Sequence, residues 1–113
     1  MKKYDINIVN DKNTIEIEVR GSFEEEDVQN FVRDYQSAVS AVNVEDFTLE
    51  VDCTNMDILR QEMIPQLENS FKMYKESGFN IVQFNTKSNA ILKLQLHRLA
   101  RNVGMKNAKI VEV

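Results

Sequence analysis

The segment from Phe47 to Phe79 constrains the fold of this chain more than any other. It opens with a strand-like run, Phe47-Thr-Leu-Glu-Val-Asp52, in which apolar Phe47, Leu49 and Val51 alternate with polar neighbours, the period-two pattern of a half-buried strand. A polar loop follows. Next comes a stripe of Ile64, Leu67, Phe71 and Tyr74 at helical spacing, then Gly78, well placed as a left-handed helix cap. Phe79-Asn-Ile-Val-Gln-Phe84 is again short and β-rich. Two strands separated by a helix predict a parallel pair joined by a right-handed crossover. Pro65 suits a first helical turn and disrupts later ones, so this helix either begins near Glu62 or Ile64 or carries a kink.

The same two periods organise the rest of the chain. Tyr4-Asp-Ile-Asn-Ile-Val9 and Thr14-Ile-Glu-Ile-Glu-Val19 alternate around the turn formers Asn10-Asp-Lys-Asn13, which predicts a hairpin. Ser22-Phe-Glu-Glu25 fits a capping box opening a first helix, and its stripe of Val28, Phe31, Val32, Tyr35, Val39 and Val42 is expected to end near Asn43. Ser88 is placed to cap a third helix carrying Leu92, Leu96, Leu99 and Val103 and ended by Gly104, before a last strand, Ala108-Lys-Ile-Val-Glu-Val113. The expected architecture is α/β, a mixed sheet of four to five strands with three amphipathic helices in the order ββαβαβαβ. At 113 residues the chain suits one domain spanning 1–113.

Composition narrows the function classes. No stretch approaches the roughly 18 apolar residues of a membrane span, and Met1-Lys2-Lys3 leads into an alternating strand rather than a signal region. A cytoplasmic protein without membrane contact is the expectation. Cys53 and His97 each stand alone, which rules out an internal disulfide and argues against a metal site or other cofactor. The net charge of -4 argues against nucleic acid. Charge is also divided along the chain. Acids dominate from Glu16 to Asp57, whereas Thr86 to Lys109 holds Lys87, Lys93, Arg98, Arg101, Lys106 and Lys109 without an acid. The basic stretch is either a solvated face or a contact for an acidic protein surface, such as another copy of the chain in a homodimer.

The order of elements, together with three local features, resembles the STAS domain family of sulphate transporters and anti-sigma-factor antagonists. Val51-Asp52-Cys53-Thr54 is similar to that family's strand end of the form apolar, Asp, apolar, Ser or Thr. Phe71-Lys-Met-Tyr-Lys-Glu-Ser-Gly78 with Asn80-Ile-Val-Gln-Phe-Asn85 resembles its second helix and following strand. Leu96-His-Arg-Leu-Ala-Arg-Asn-Val-Gly104-Met105 resembles its third helix and closing glycine. The resemblance implies a non-enzymatic protein-interaction module whose partner is an anti-sigma-factor kinase or another signalling protein. In the family, an Asp-Ser-Ser-Gly type segment opening the second helix carries a phosphorylated serine. Register from Asp52 or from Gly78 sets Arg60-Gln61-Glu62-Met63 there, so Glu62 stands at the phosphoserine position and Arg60 replaces the preceding acid.

The resemblance therefore implies docking through the loop of Thr54, Met56, Asp57, Arg60, Gln61, Glu62 and Met63, without a serine switch. A glutamate supplies about one permanent negative charge where phosphoserine supplies roughly 1.5 to 2, and both suit a helix N-terminus. Glu62 is then either a fixed stand-in for the modified residue or an ordinary solvated helix-start residue. Met56 and Met63 either form an adaptable docking surface or fold down over the core. A rival reading is a small-molecule or lipid carrier with Phe31, Phe71, Phe79 and Phe84 lining a cavity. Weaker candidates are an Asp52–Asp57 carboxylate pair, which has no third ligand or phosphate loop beside it, phosphate acceptance at Thr54, more often a turn former or cap in such a place, and a Cys53 nucleophile, which needs a histidine such as His97 brought to it by the fold and is otherwise a small buried hydrophobe.

Overall fold

The computed structural model describes residues 3–113; Met1 and Lys2, on which the expectation of no signal region partly rests, lie outside the described residues. Strands β1 (Tyr4–Val9) and β2 (Thr14–Gly21) form the expected antiparallel hairpin, with Tyr4 opposite Val19 and Ile8 opposite Ile15. Its turn is a short 3-10 segment closed by Asn13 at φ 48, the left-handed region that asparagine tolerates better than most residues. Then follow α1 (Glu25–Val39), β3 (Thr48–Met56), α2 (Ile64–Ser77), β4 (Ile81–Thr86), α3 (Ala90–Asn102) and β5 (Ala108–Glu112). The strands lie in the order β1-β2-β3-β4-β5, and every pair from β2 onward is parallel.

This order makes the sheet one-sided. Each crossover steps in the same direction, so right-handed connections lay all three helices on one face. Burial agrees: Ile15, Leu49 and Val82 share one cross-strand row, Ile17, Val51 and Phe84 the next, and all six are buried. Their alternating neighbours, Glu16, Glu18, Glu50, Asp52, Gln83 and Asn85, lie on the opposite face and remain half-exposed.

A chain of aromatic rings ties helices to sheet. Tyr4 meets Phe31 edge-on at 5.3 Å between centroids, Tyr35 lies 5.4 Å from Tyr74, and Phe71 stacks on Phe84 at 4.7 Å. Each such pair adds about 0.5–1.5 kcal/mol beyond area burial. The buried Tyr35 satisfies its polar tip on Ser77, 2.8 Å away. Tyr4 holds Asp34 by its hydroxyl.

Several boundaries differ from expectation. The capping box sits two residues later: the Glu24 amide donates to Asp27 at 2.8 Å, while the Ser22 hydroxyl turns to Asp57. Helix α1 stops at Val39 rather than near Asn43, because the amides of Ala41 and Val42 tighten onto carbonyls three residues back. Asn89, not Ser88, caps α3 by accepting from the Leu92 amide at 3.1 Å. Strand β3 runs to Met56, past Asp52, since Arg20 and Gly21 of β2 continue to pair with Asn55 and Met56.

Candidate docking surface at the start of the second helix

Parallel strands send all their strand-to-helix connections out of one sheet edge. The β2–α1, β3–α2 and β4–α3 loops therefore meet there, the edge at which open α/β sheets generally carry their sites. Between Met56 and Ile64 the chain crosses this edge, makes a 3-10 turn at Gln61–Met63 and runs directly into α2, with Pro65 in the first turn. No backbone amide is lost by a proline there.

The loop is held from three sides. The Asp57 amide donates to the Gly21 carbonyl at 3.1 Å, and its carboxylate accepts from Ser22 at 3.0 Å. Arg60 reaches the Phe23 carbonyl and the Glu24 carboxylate, each at 3.2 Å. The Gln95 side chain of α3 clamps Leu59 in both directions, accepting from its amide at 3.0 Å and donating to its carbonyl at 3.2 Å. Gln95 is absent from the sequence-derived site. A lone glutamine on a helix, 36 positions from its partner, gives no local signal of such a role.

The expected site residues divide accordingly. Thr54 and Met56 belong to strand β3, not to the loop; continued pairing with β2 overrides the turn character of Thr54-Asn55. Met56 is half-buried and packs against the core, and Met63 is buried, so of the two methionines neither is an exposed loop residue. Asp57, Arg60, Gln61 and Glu62 are exposed, and Ile58 joins them at 45% exposure. Glu62 stands in the 3-10 turn leading into α2, 71% exposed, with its carboxylate 3.5 Å from Arg60. Beside the loop, a groove of about 400 Å³ runs between α2 and α3, with Leu59, Ile64 and Leu99 as floor and Gln61, Arg98 and Asn102 as rim.

Burial, with a smaller contribution from the Asp52 charge, pushes the Cys53 thiol up to about 12, so it is protonated at neutral pH and a poor nucleophile. That thiol lies 3.8 Å from the Val51 carbonyl, whereas His97 is exposed on α3. Asp52 is bonded to the Thr54 amide and Asp57 to Ser22, and the described residues contain no cluster of three or more metal-ligating side chains. Beneath the helices lies an apolar cavity of about 40 Å³ bordered by Phe31, Phe71 and Phe84 but not by Phe79. Ligand pockets for drug-sized molecules run to roughly 300–1,000 Å³. Among the described residues no helix is long and apolar enough to cross a membrane.

One-sided five-stranded sheet, three helices and this order of elements define the SpoIIAA-like, or STAS-like, fold. The crystal structure of an uncharacterized protein of the DUF3478 family from Shewanella loihica PV-4 has this fold. It matches with a TM-score of 0.72 and 16% sequence identity, over 100% of this chain and 89% of that one. No protein-family profile matches the sequence, and no curated protein matches it significantly.

Proposed function

We propose that this chain is a non-enzymatic protein-docking module that presents the loop 57–63 and the adjoining groove between α2 and α3 to a signalling partner. The observation that carries the reading is the division within the loop. The loop is tethered to the end of β2 through Asp57, to the start of α1 through the Arg60 side chain and to α3 through the Leu59 backbone, yet Ile58, Gln61 and Glu62 extend into solvent. A tethered loop loses little conformational entropy on binding, which favours recognition. Glu62 contributes a charge that no kinase or phosphatase controls, so the module is held in one binding state. A carrier function finds less support, because the Phe31, Phe71 and Phe84 rings close around a space that holds only a few water-sized molecules.

Affinity capture from the native host, run in parallel with wild type, Ile58→Asp, Glu62→Ser and Glu62→Ala, tests this. A specific partner is expected to be retained by wild type, lost with Ile58→Asp and weakened by both Glu62 variants. Retention of every bound protein regardless of these substitutions would refute the loop as the docking surface.

A further inference from the structure

The face of the sheet opposite the helices is left uncovered. Four parallel strands with helices on only one side are unusual, because parallel sheets are almost always covered on both. Across that bare face run two cross-strand rows, Asn7–Glu16–Glu50–Gln83–Lys109 and Asp5–Glu18–Asp52–Asn85–Val111. At their centre Glu16 pairs directly with Glu50, and Glu18 with Asp52. Like charges at directly opposed positions destabilise a sheet. Arg20 binds Asp5 and Glu18, which leaves Glu16, Glu50 and Asp52 with no cation beside them among the described residues.

The opposite side of the molecule carries the complement. On α3, Ile91, Leu94, Arg98 and Arg101 fall at the spacing of one helical stripe; Ile91 and Leu94 are each 58% exposed, and both arginines are exposed. The helix contains no acid. We infer that the α3 stripe of one copy docks on the acidic sheet face of the next, a head-to-tail contact between copies of this chain. Guanidinium groups form charge-assisted, often bidentate bonds with carboxylates, and they relieve the opposed Glu16–Glu50 and Glu18–Asp52 pairs. The inference does not depend on the docking loop: it uses the sheet face opposite the helices and the outer stripe of α3, which shares only Arg98 with the rim of the groove beside that loop.

The contact is small. Five strands about 4.8 Å apart, over about five residues along each strand, present roughly 400 Å² a side, so the total lies below the range of stable interfaces and the association is weak. Because the two surfaces differ and lie on opposite sides, it is heterologous and open-ended rather than a closed dimer.

Sedimentation equilibrium of the whole chain at low salt is expected to show a mass rising with concentration beyond twice the 13.1 kDa chain, and falling back to monomer at about 0.5 M salt, where the Debye length is only about 4 Å. Leu94→Ser with Arg101→Ser breaks one surface, and Glu16→Lys with Glu50→Lys breaks the other. Each double variant alone is expected to be monomeric. Mixed in equal amounts, they form one-to-one dimers that stop growing, because each retains a different intact surface. Circular dichroism checks folding, and Glu16→Gln with Glu50→Gln replaces the sheet variant if the lysines misfold it. A monomeric wild type up to millimolar concentration, association that survives both double variants, or a mixture that stays monomeric would each overturn the proposal.

Discussion

Replacing Gln95 by leucine isolates the clamp that fixes the loop to α3. The change keeps nearly the same shape on the helix and removes both bonds to Leu59, at 3.0 and 3.2 Å. Neutral hydrogen bonds are each worth about 1 kcal/mol net, so the pair sets a loss of about 2 kcal/mol. Unfolding entropy of about 2.1 cal/mol/K per residue translates this, for 113 residues, into a Tm lower by about 8 °C. The same loss acts locally. Exchange of the Leu59 amide with solvent deuterium should accelerate by roughly 30-fold, since 1.4 kcal/mol is a factor of ten, while the Asp57 amide, bonded to Gly21, keeps its protection. Gln95→Glu adds an internal control. It retains an acceptor for the Leu59 amide but sets a carboxylate against the Leu59 carbonyl, so its loss at pH 7 should shrink as pH falls through the carboxyl range near about 4 and the acid becomes a donor. Denaturant melts of the three proteins, read with amide exchange, decide the matter. A leucine variant within about 0.3 kcal/mol of wild type, with unchanged Leu59 exchange, would show that the clamp does not hold the loop.

Two further outcomes follow from local chemistry. The Cys53 thiol is pushed up to about 12 by burial, above its unfolded value near 8.5, so its contribution to stability is complete below about pH 8.5 and is lost as pH rises toward 12. Between pH 7 and 10 wild type should lose about 2 kcal/mol more than Cys53→Ala, as read from urea midpoints; equal losses would contradict the buried, protonated thiol. Gly78 caps α2 at φ 88, and a Cβ there would meet only Val44, at 4.0 Å. Gly78→Ala should therefore cost about 1–2 kcal/mol from the left-handed conformation alone, with Gly78→Asn milder in a thermal melt; an alanine variant as stable as wild type would refute that account.

The fold was legible where signals are short in range. Phe47, Leu49 and Val51 alternate, Ile64 to Tyr74 form a stripe and Gly78 ends the helix, and each of these needs only its neighbours in sequence to be read. The misses share the opposite property. Thr54-Asn55-Met56 has the composition of a turn, yet it extends β3 because Arg20 and Gly21 lie alongside it. Ser22 has the chemistry of a helix cap, yet it serves Asp57, 35 positions away. The site was legible in part for the same reason: the exposed polar run from Arg60 to Glu62 follows from composition, whereas the Gln95 clamp and the Arg60 bonds to Phe23 and Glu24 exist only once three loops share one sheet edge.

One long-range property was nonetheless written in local pattern. Strands buried on both faces read as continuous apolar runs, yet β2, β3 and β4 all alternate, as in Ile15-Glu-Ile-Glu18, Leu49-Glu-Val-Asp52 and Val82-Gln-Phe-Asn85. Alternation alone is ambiguous, since antiparallel sheets alternate as well. Once the intervening helices require these strands to be parallel, the same alternation requires that one face lack helices. In sequential strand order every right-handed crossover then falls on the apolar side, so the alternation and the connectivity impose the same one-sided sheet. What the pattern cannot express is pairing: that Glu16 faces Glu50 and Glu18 faces Asp52 depends on register. It is this register, rather than the number of acids, that concentrates negative charge at the centre of the bare face.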